Sequence, residues 1–109
     1  ILKAVLSIVV GFPLIENSLK YNDKQIPQIE IKATESAQQT IITLTDNGIG
    51  IPENKTKEVF KAFVRAHSAS IYEGSGVGLA TCKKIMDIHN GKISVESELG
   101  KGSCFTLTF

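Results

Sequence analysis

The sequence predicts one α/β domain of the α+β kind. It is a two-layer sandwich, with three helices on one face of a mixed, mostly antiparallel sheet of about five strands. The predicted order of elements is strand, helix, strand, strand, helix, loop, helix, strand, strand. Two pairs of consecutive strands are joined by short turns, which makes them antiparallel neighbours. Polar and apolar residues alternate along these strands, so one face packs against helices and the other meets solvent.

The composition fits one folded domain, because 42% of the 109 residues are hydrophobic and 21% are charged. A net charge of +1 gives no broad electrostatic attraction for nucleic acid or an anionic membrane. Cys82 and Cys104 lie far apart and outside the spacing of a zinc site, which favours free, buried thiols in a reducing compartment. The apolar run Ile1–Ile15 is interrupted by a lysine, a glycine and a proline. It is also shorter than the ~20 residues of a membrane-spanning helix.

The first half of the chain predicts three strands and one helix. Ala4–Val10 is short and β-branched, which is typical of a buried strand, and Gly11 turns the chain. Pro13 suits the first position of a helix that continues to about Tyr21. Two alternating segments then predict a hairpin, formed by Gln28–Thr34 and Thr40–Asp46. In the first of these strands, the side chains expected to face the helices are Ile29, Ile31 and Ala33.

The second half predicts two helices, a loop and a closing pair of strands. Pro52 opens a helix that ends near Phe63, and Val64–Ser75 has no period and is expected to be a mobile loop. Val77–His89 is amphipathic, and its apolar face holds Leu79, Cys82, Ile85 and Met86. Gly91 is expected to end this helix in the left-handed conformation. The last two predicted strands are Lys92–Ser97 and Ser103–Phe109.

The first of two glycine clusters, Asp46–Gly50, follows a predicted strand. Asp46 has the same parity as Leu44, so its carboxylate is expected to enter the apolar layer, where it needs a donor. Gly48 and Gly50 remove side chains that would hold a ligand away from the backbone. This arrangement suits a flat apolar group with an exocyclic amine, such as adenine. The first three residues of the cluster, Asp46–Gly48, are also a common turn between strands. Taken alone, they favour neither a turn nor an adenine site.

The second glycine cluster, Gly74–Gly78, runs directly into a predicted helix. Free backbone N–H groups and the positive end of a helix dipole suit phosphates. No GK[ST] follows, which excludes a Walker loop, and no strand precedes the GxGxG spacing, which excludes a dinucleotide fingerprint. Alone, this cluster does not exclude a flexible hinge.

A third segment, Glu16–Tyr21, places polar groups on one helical turn. Asn17, Lys20 and Tyr21 bring an amide oxygen, an ammonium and an aromatic ring to one side. These groups could hold a metal ion, a phosphate and a base. Taken alone, the hexapeptide favours an ordinary amphipathic helix with a solvated lysine.

Taken together, these segments resemble the catalytic ATP-binding domain of sensor histidine kinases, in the GHKL superfamily, which has a Bergerat-type fold. Glu16–Tyr21 looks like the N box, Asp46–Ile51 the G1 box, Val59–Phe63 the F box and Gly74–Ala80 the G2 box. Val95–Phe109 is similar to the last two strands of the family. Four ordered motifs covering nearly the whole chain make the resemblance specific.

The resemblance implies a role for each matching residue. Asp46 would bind the adenine amine, Asn17 the magnesium that bridges the phosphates, and Lys20 and Tyr21 phosphate and adenine. Arg65 would orient the γ-phosphate, although a solvated loop cation is an equally good interpretation. The other implied ATP-binding residues are Gly48, Gly50, Gly74, Gly76, Val77, Gly78 and Leu79.

The resemblance implies a kinase that uses ATP and Mg²⁺ and transfers the γ-phosphate to a histidine on a separate dimerisation domain, and from there to a response regulator. We expect a cytoplasmic domain without nucleic-acid or membrane contact, and residues 1–109 to be one domain of a longer protein, since the chain does not begin with Met. Neither His67 nor His89 has the context of a phosphoacceptor. The anchoring of the parent protein is left open.

Pro13 departs from the family pattern, which usually has an asparagine four residues before Asn17. The GHKL ATPases instead need a glutamate base there, and Pro13 disfavours them. Two alternatives stay open, a GHKL-type serine kinase and a degenerate nucleotide-binding scaffold.

Overall fold

Four strands of seven residues form one sheet in the computed structural model, which describes residues 2–61 and 77–109. They are β1 (Ile29–Glu35), β2 (Thr40–Asp46), β3 (Lys92–Glu98) and β4 (Gly102–Thr108), in the order β1-β2-β4-β3. All three pairings are antiparallel, so among the described residues the expectation of a mixed sheet of about five strands is wrong.

The long N-terminal helix α1, Leu2–Lys20, corrects the predicted first strand. Its buried residues recur every fourth position, and this spacing forms one helical face rather than a strand. Burial of that face therefore outweighs the β preference of the Ala4–Val10 segment. Pro13 lies inside the helix and does not begin it, and Gly11 does not turn the chain. The buried stripe consists of Leu6, Val10, Leu14 and Ser18.

The hydrophobic core lies between the sheet and the helices, with α2 (Val77–Ile88) packed beside α1. Cys82 and Met86 of α2 are buried, as its amphipathic pattern predicts. From the sheet, the core receives Leu44, Ile93, Phe105 and Leu107. Phe60 meets Phe105 edge to face, with 6.2 Å between ring centroids. The predicted two-layer α+β class is confirmed.

Three further expectations need correction. Ile31 and Ala33 of β1 are exposed and Ile29 is half-buried, because β1 is the edge strand of the described sheet. The helix predicted from Pro52 is, in its described part, a single 3-10 turn, Glu53–Lys55, followed by further turns. The left-handed residue after α2 is Asn90 rather than Gly91, with φ of 58°. The predicted loop Val64–Ser75 lies outside the described residues.

The length of α1 also changes the expectation about membranes. Among the described residues it is the one helix that is long and apolar enough to cross a bilayer by length and composition alone. Core helices of soluble proteins pass the same test. The buried stripe of α1 packs it on the sheet, so this property is weak support for a membrane span.

Candidate functional site

Asp46, the last residue of β2, lies in the helix-facing layer as its parity predicts, with 8% of its surface exposed. Its Oδ1 accepts the backbone N–H of Gly48 at 2.8 Å and that of Ser103 at 3.3 Å. Its Oδ2 accepts the hydroxyl of Ser18 at 2.9 Å. Three hydrogen-bond donors among the described residues thus hold the two oxygens of the carboxylate.

The end of α1 is tied to the segment after β2, where the predicted N box and G1 box meet. The N–H of Ile49 donates to the Tyr21 carbonyl at 3.0 Å. The Asn22 amide donates to the Asn47 side-chain oxygen at 2.8 Å, and the Gln28 N–H donates to the same oxygen at 2.9 Å. With the Ser18–Asp46 bond, these contacts fix the last turn of α1 beside the carboxylate.

Asn17, Lys20 and Tyr21 lie on that last turn, as their spacing predicts. The N–H of Tyr21 donates to the Asn17 carbonyl at 3.1 Å, so helical hydrogen bonding reaches Tyr21. Asn17 and Tyr21 are half-buried and Lys20 is exposed. Residues 2–61 and 77–109 contain no group of three or more His, Cys, Asp and Glu side chains placed to bind a metal. Mg²⁺ does not require one, because it keeps several waters and takes phosphate oxygens as ligands.

Contacts within the chain require glycine at positions 48 and 50, which the sequence did not reveal. A Cβ on Gly48 would lie 2.5 Å from the Tyr21 carbonyl oxygen. A Cβ on Gly50 would collide with the carbonyl of Glu98, and Gly50 has a positive φ of 78°. The space beside both glycines is filled by the chain itself. Their small size lets the segment after β2 approach α1 and the β3–β4 turn.

The second glycine cluster is described only from its last residues. Gly78 lies on the first turn of α2, where a Cβ would meet no atom of the described residues within 4 Å, and Leu79 packs against the core. With respect to the described residues, there is therefore room beside Gly78. Gly74, Gly76, Arg65 and His67 lie outside the described residues, as does the side chain of Val77.

Two serines at Asp46 were missed by the sequence reasoning. Ser18 completes the apolar stripe of α1, so the correct helical period would have placed its hydroxyl in the core. Ser103 lies opposite Asp46 on β4 and is 8% exposed. Its hydroxyl lies 2.7 Å from that of Ser97, which in turn accepts the N–H of Ile51 at 2.7 Å. In the sequence, the only signal for this serine network was that polar residues end strands that pair with each other, Asp46 with Ser103 and Ser103 with Ser97.

A depression of about 370 Å³ opens at the end of the sheet next to the β3–β4 turn. Its lining holds three carboxylates against one ammonium, that of Lys101, and neither α1 nor α2 contributes a residue. Negative charge disfavours a triphosphate there. We therefore assign the candidate site to Asp46 and the last turn of α1, which hydrogen bonds hold together.

Comparison with known proteins agrees with this arrangement. The family model for histidine kinase-, DNA gyrase B- and HSP90-like ATPases matches residues 10–109. Cyanobacterial phytochrome A of Nostoc sp. is 42% identical over 95 residues, covering 87% of this chain and 12% of that protein. The methanogenesis regulatory histidine kinase FilI of Methanothrix harundinacea is 40% identical over 96 residues, covering 87% of this chain and 11% of that protein.

The same fold is found in full-length ShkA, whose crystal structure is a complex with AMPPNP. The TM-score is 0.78 at 21% identity, over 94% of this chain and 21% of that one. The chain thus spans about an eighth of the length of the two curated relatives, and the likeness to ShkA concerns the fold. The match over residues 10–109, on a two-layer fold with a buried carboxylate beside the N-box turn, identifies the chain as a member of the histidine kinase-, DNA gyrase B- and HSP90-like ATPase family.

Proposed function

We propose that this chain is the ATP-Mg²⁺-binding catalytic domain of a sensor histidine kinase and one domain of a longer protein. The observation that carries the proposal is the buried Asp46 carboxylate, held by three donors beside the last turn of α1. Its Oδ2 receives one described hydrogen bond and keeps a second acceptor position. An adenine amine is a donor that fits this position. The AMPPNP bound by ShkA on the same fold supports a nucleotide as ligand.

The remaining residues suit both ends of the nucleotide. Lys20, two residues after Ser18, offers an exposed ammonium to the phosphates. Tyr21 offers its ring to adenine, and its carbonyl accepts the N–H of Ile49 in the segment after β2. The backbone at Gly78, at the positive end of α2, has room beside it among the described residues and suits phosphate oxygens. We assign the rest of the glycine cluster, Val77, Leu79 and Arg65 to the same end on the family pattern.

Asn17 would hold Mg²⁺, because an amide oxygen is a hard ligand of the kind this ion prefers. The bound ion would neutralise charge on the phosphates. Phosphoryl transfer depends mainly on positioning and charge neutralisation, so the chain's residues need to bind and orient the nucleotide and need not supply a nucleophile.

The acceptor in this proposal is a histidine on a separate dimerisation domain, followed by a response regulator. His89 lies directly after the end of α2 and lacks the sequence context of a phosphoacceptor on a long helix. FilI, a regulatory histidine kinase by name, supports this reaction class. We place the domain in the cytoplasm, with α1 packed on the sheet and no contact with membrane or nucleic acid.

Pro13 favours a second candidate, a nucleotide-binding scaffold without transferase activity. It lies on α1 four residues before Asn17, where the family pattern has a polar side chain. A scaffold would bind nucleotide at Asp46 and transfer nothing.

Two measurements test the proposal. Calorimetric titration of the chain with AMPPNP and magnesium should show binding, with GMPPNP as the control that lacks the amine in the same place. Incubation of the longer protein with γ-labelled ATP should label a histidine, and the label should disappear when that histidine is replaced by glutamine. Binding without labelling would favour the scaffold, and absence of binding would refute the nucleotide assignment.

A further inference from the structure

Ser18 is the one polar residue in the buried stripe of α1, and 3% of its surface is exposed. The three other members of the stripe are aliphatic. A buried hydroxyl costs free energy unless it is hydrogen-bonded, and the partner of this hydroxyl is Oδ2 of Asp46, 2.9 Å away. The hydroxyl therefore joins the helix that carries Asn17 to the carboxylate that ends β2.

The two oxygens of Asp46 have unequal free capacity. Each carboxylate oxygen can accept about two hydrogen bonds. Oδ1 already accepts two backbone N–H groups, from Gly48 and Ser103. Among the described residues, Oδ2 accepts only the Ser18 hydroxyl, so the position of that hydroxyl decides which direction from Oδ2 stays open to a ligand.

We propose that Ser18 is a positioning residue for the nucleotide base, whose hydroxyl occupies one acceptor position of Asp46 Oδ2 and directs the other toward the exocyclic amine. This inference rests on the proposed function, because it assumes that Asp46 receives adenine. Ser18 does not need to touch the base. It acts through Asp46, and it places the base in a fixed relation to Asn17, its neighbour on α1.

A purely structural role for Ser18 gives a different result. If the hydroxyl only satisfies a buried carboxylate, its loss weakens every nucleotide equally through the stability of the site. If it directs Oδ2, its loss weakens only ligands that carry the amine. Purine riboside triphosphate, which has no amine on the base, separates the two roles.

The experiment titrates the wild-type chain and Ser18→Ala with ATP and with purine riboside triphosphate, both with magnesium. The wild-type preference for ATP should fall by about 3- to 10-fold in Ser18→Ala, the size of one lost hydrogen bond. Affinity for the amine-free nucleotide should change less than about 2-fold. Ser7→Ala is the matched control, because it removes a serine hydroxyl from the same helix whose bond, at 2.7 Å, goes to the Lys3 carbonyl. It should leave both affinities unchanged.

The outcomes of the titrations distinguish a positioning role of Ser18 from a purely structural one. Equal losses for both nucleotides would overturn the positioning role and leave the proposed function intact. A wild-type chain that binds neither nucleotide would overturn the proposed function and this inference with it. If circular dichroism shows that Ser18→Ala is unfolded, Ser18→Cys takes its place, because it keeps the side-chain size and has a weaker hydrogen-bond donor. The affinities of Ser18→Cys for ATP and for purine riboside triphosphate are then compared in the same way. In the background of Asp46→Asn, Ser18→Ala should have no further effect on base preference.

Discussion

Replacing Asp46 by asparagine removes the negative charge and one acceptor while keeping the shape of the side chain. The two backbone N–H groups that point at Oδ1 fix the orientation of the new amide. The amide oxygen takes the Oδ1 position, because an NH₂ group there would face two donors. The NH₂ group therefore takes the Oδ2 position. The Ser18 hydroxyl can rotate to accept from it, but an adenine amine in the remaining position would face another donor.

The expected effect on binding is large and the effect on folding is small. Loss of a charge-assisted hydrogen bond costs roughly 1.5–3 kcal/mol, which lowers ATP affinity about ten- to a hundredfold. All three protein hydrogen bonds persist without charge assistance, so we expect the free energy of unfolding to fall by about 1–2 kcal/mol. Calorimetric titration with an ATP analogue measures the first quantity, and urea unfolding the second.

Asp23→Asn is the matched control. Asp23 is exposed, and its carboxylate lies 3.4 Å from the Lys24 ammonium, outside the contacts of Asp46. This variant should retain wild-type affinity. If Asp46→Asn is folded and binds ATP as tightly as wild type, the adenine assignment is wrong, and Asp46 must be regarded as a structural carboxylate that closes the end of β2.

Three further outcomes are expected. Gly48→Ala places a Cβ 2.5 Å from the Tyr21 carbonyl oxygen and should lower the free energy of unfolding, measured in urea, by about 1–3 kcal/mol. Gly78→Ala, whose Cβ meets no described atom within 4 Å, should change it by less than about 1 kcal/mol. Equal effects would show that the close approach at Gly48 does not limit stability. Asn17→Ala should weaken the binding of ATP in the presence of magnesium. It should leave the binding of ATP in EDTA, and the binding of adenosine, unchanged. An equal loss of ATP affinity with magnesium and with EDTA would make Asn17 a structural residue rather than a metal ligand. Burial raises the pKa of the Cys82 thiol to about 11, so at pH 8 it should resist thiol reagents in the native chain and react in urea. The neutral thiol contributes stability fully below the ordinary thiol pKa of 9.0, and this contribution is lost as the pH rises through the folded-state pKa of about 11.

The sequence predicted best where residue pattern and local geometry agree. Alternation along β2 placed Asp46 in the helix-facing layer, and the period of α2 identified Cys82 and Met86 as buried. In α1 the two signals conflict. Its β-branched residues and Pro13 favour a strand and a later helix start, while its fourth-residue repeat favours the helix that forms.

Other features of the site depend on contacts between distant segments, which no local pattern contains. The need for glycine at position 48 comes from the Tyr21 carbonyl, which reaches it only once α1 has packed. The exposure of Ile31 follows from the place of β1 at the edge of the described sheet. Ser103 reaches Asp46 through strand register. Asn90 replaces Gly91 as the left-handed residue, and a Cβ on Gly91 would instead crowd the Thr108 carbonyl.

Pro13 divides α1 into two segments that differ in how firmly they are held. A proline has no N–H, so the carbonyl of Val9, on an exposed part of the helix, lacks its usual helical partner. Beyond this break, the segment from Leu14 onward is held by hydrogen bonds from Ser18 to Asp46 and from Ile49 to the Tyr21 carbonyl. An opening of the helix on the amino side of Pro13 therefore breaks none of the hydrogen bonds that hold Ser18 and Tyr21.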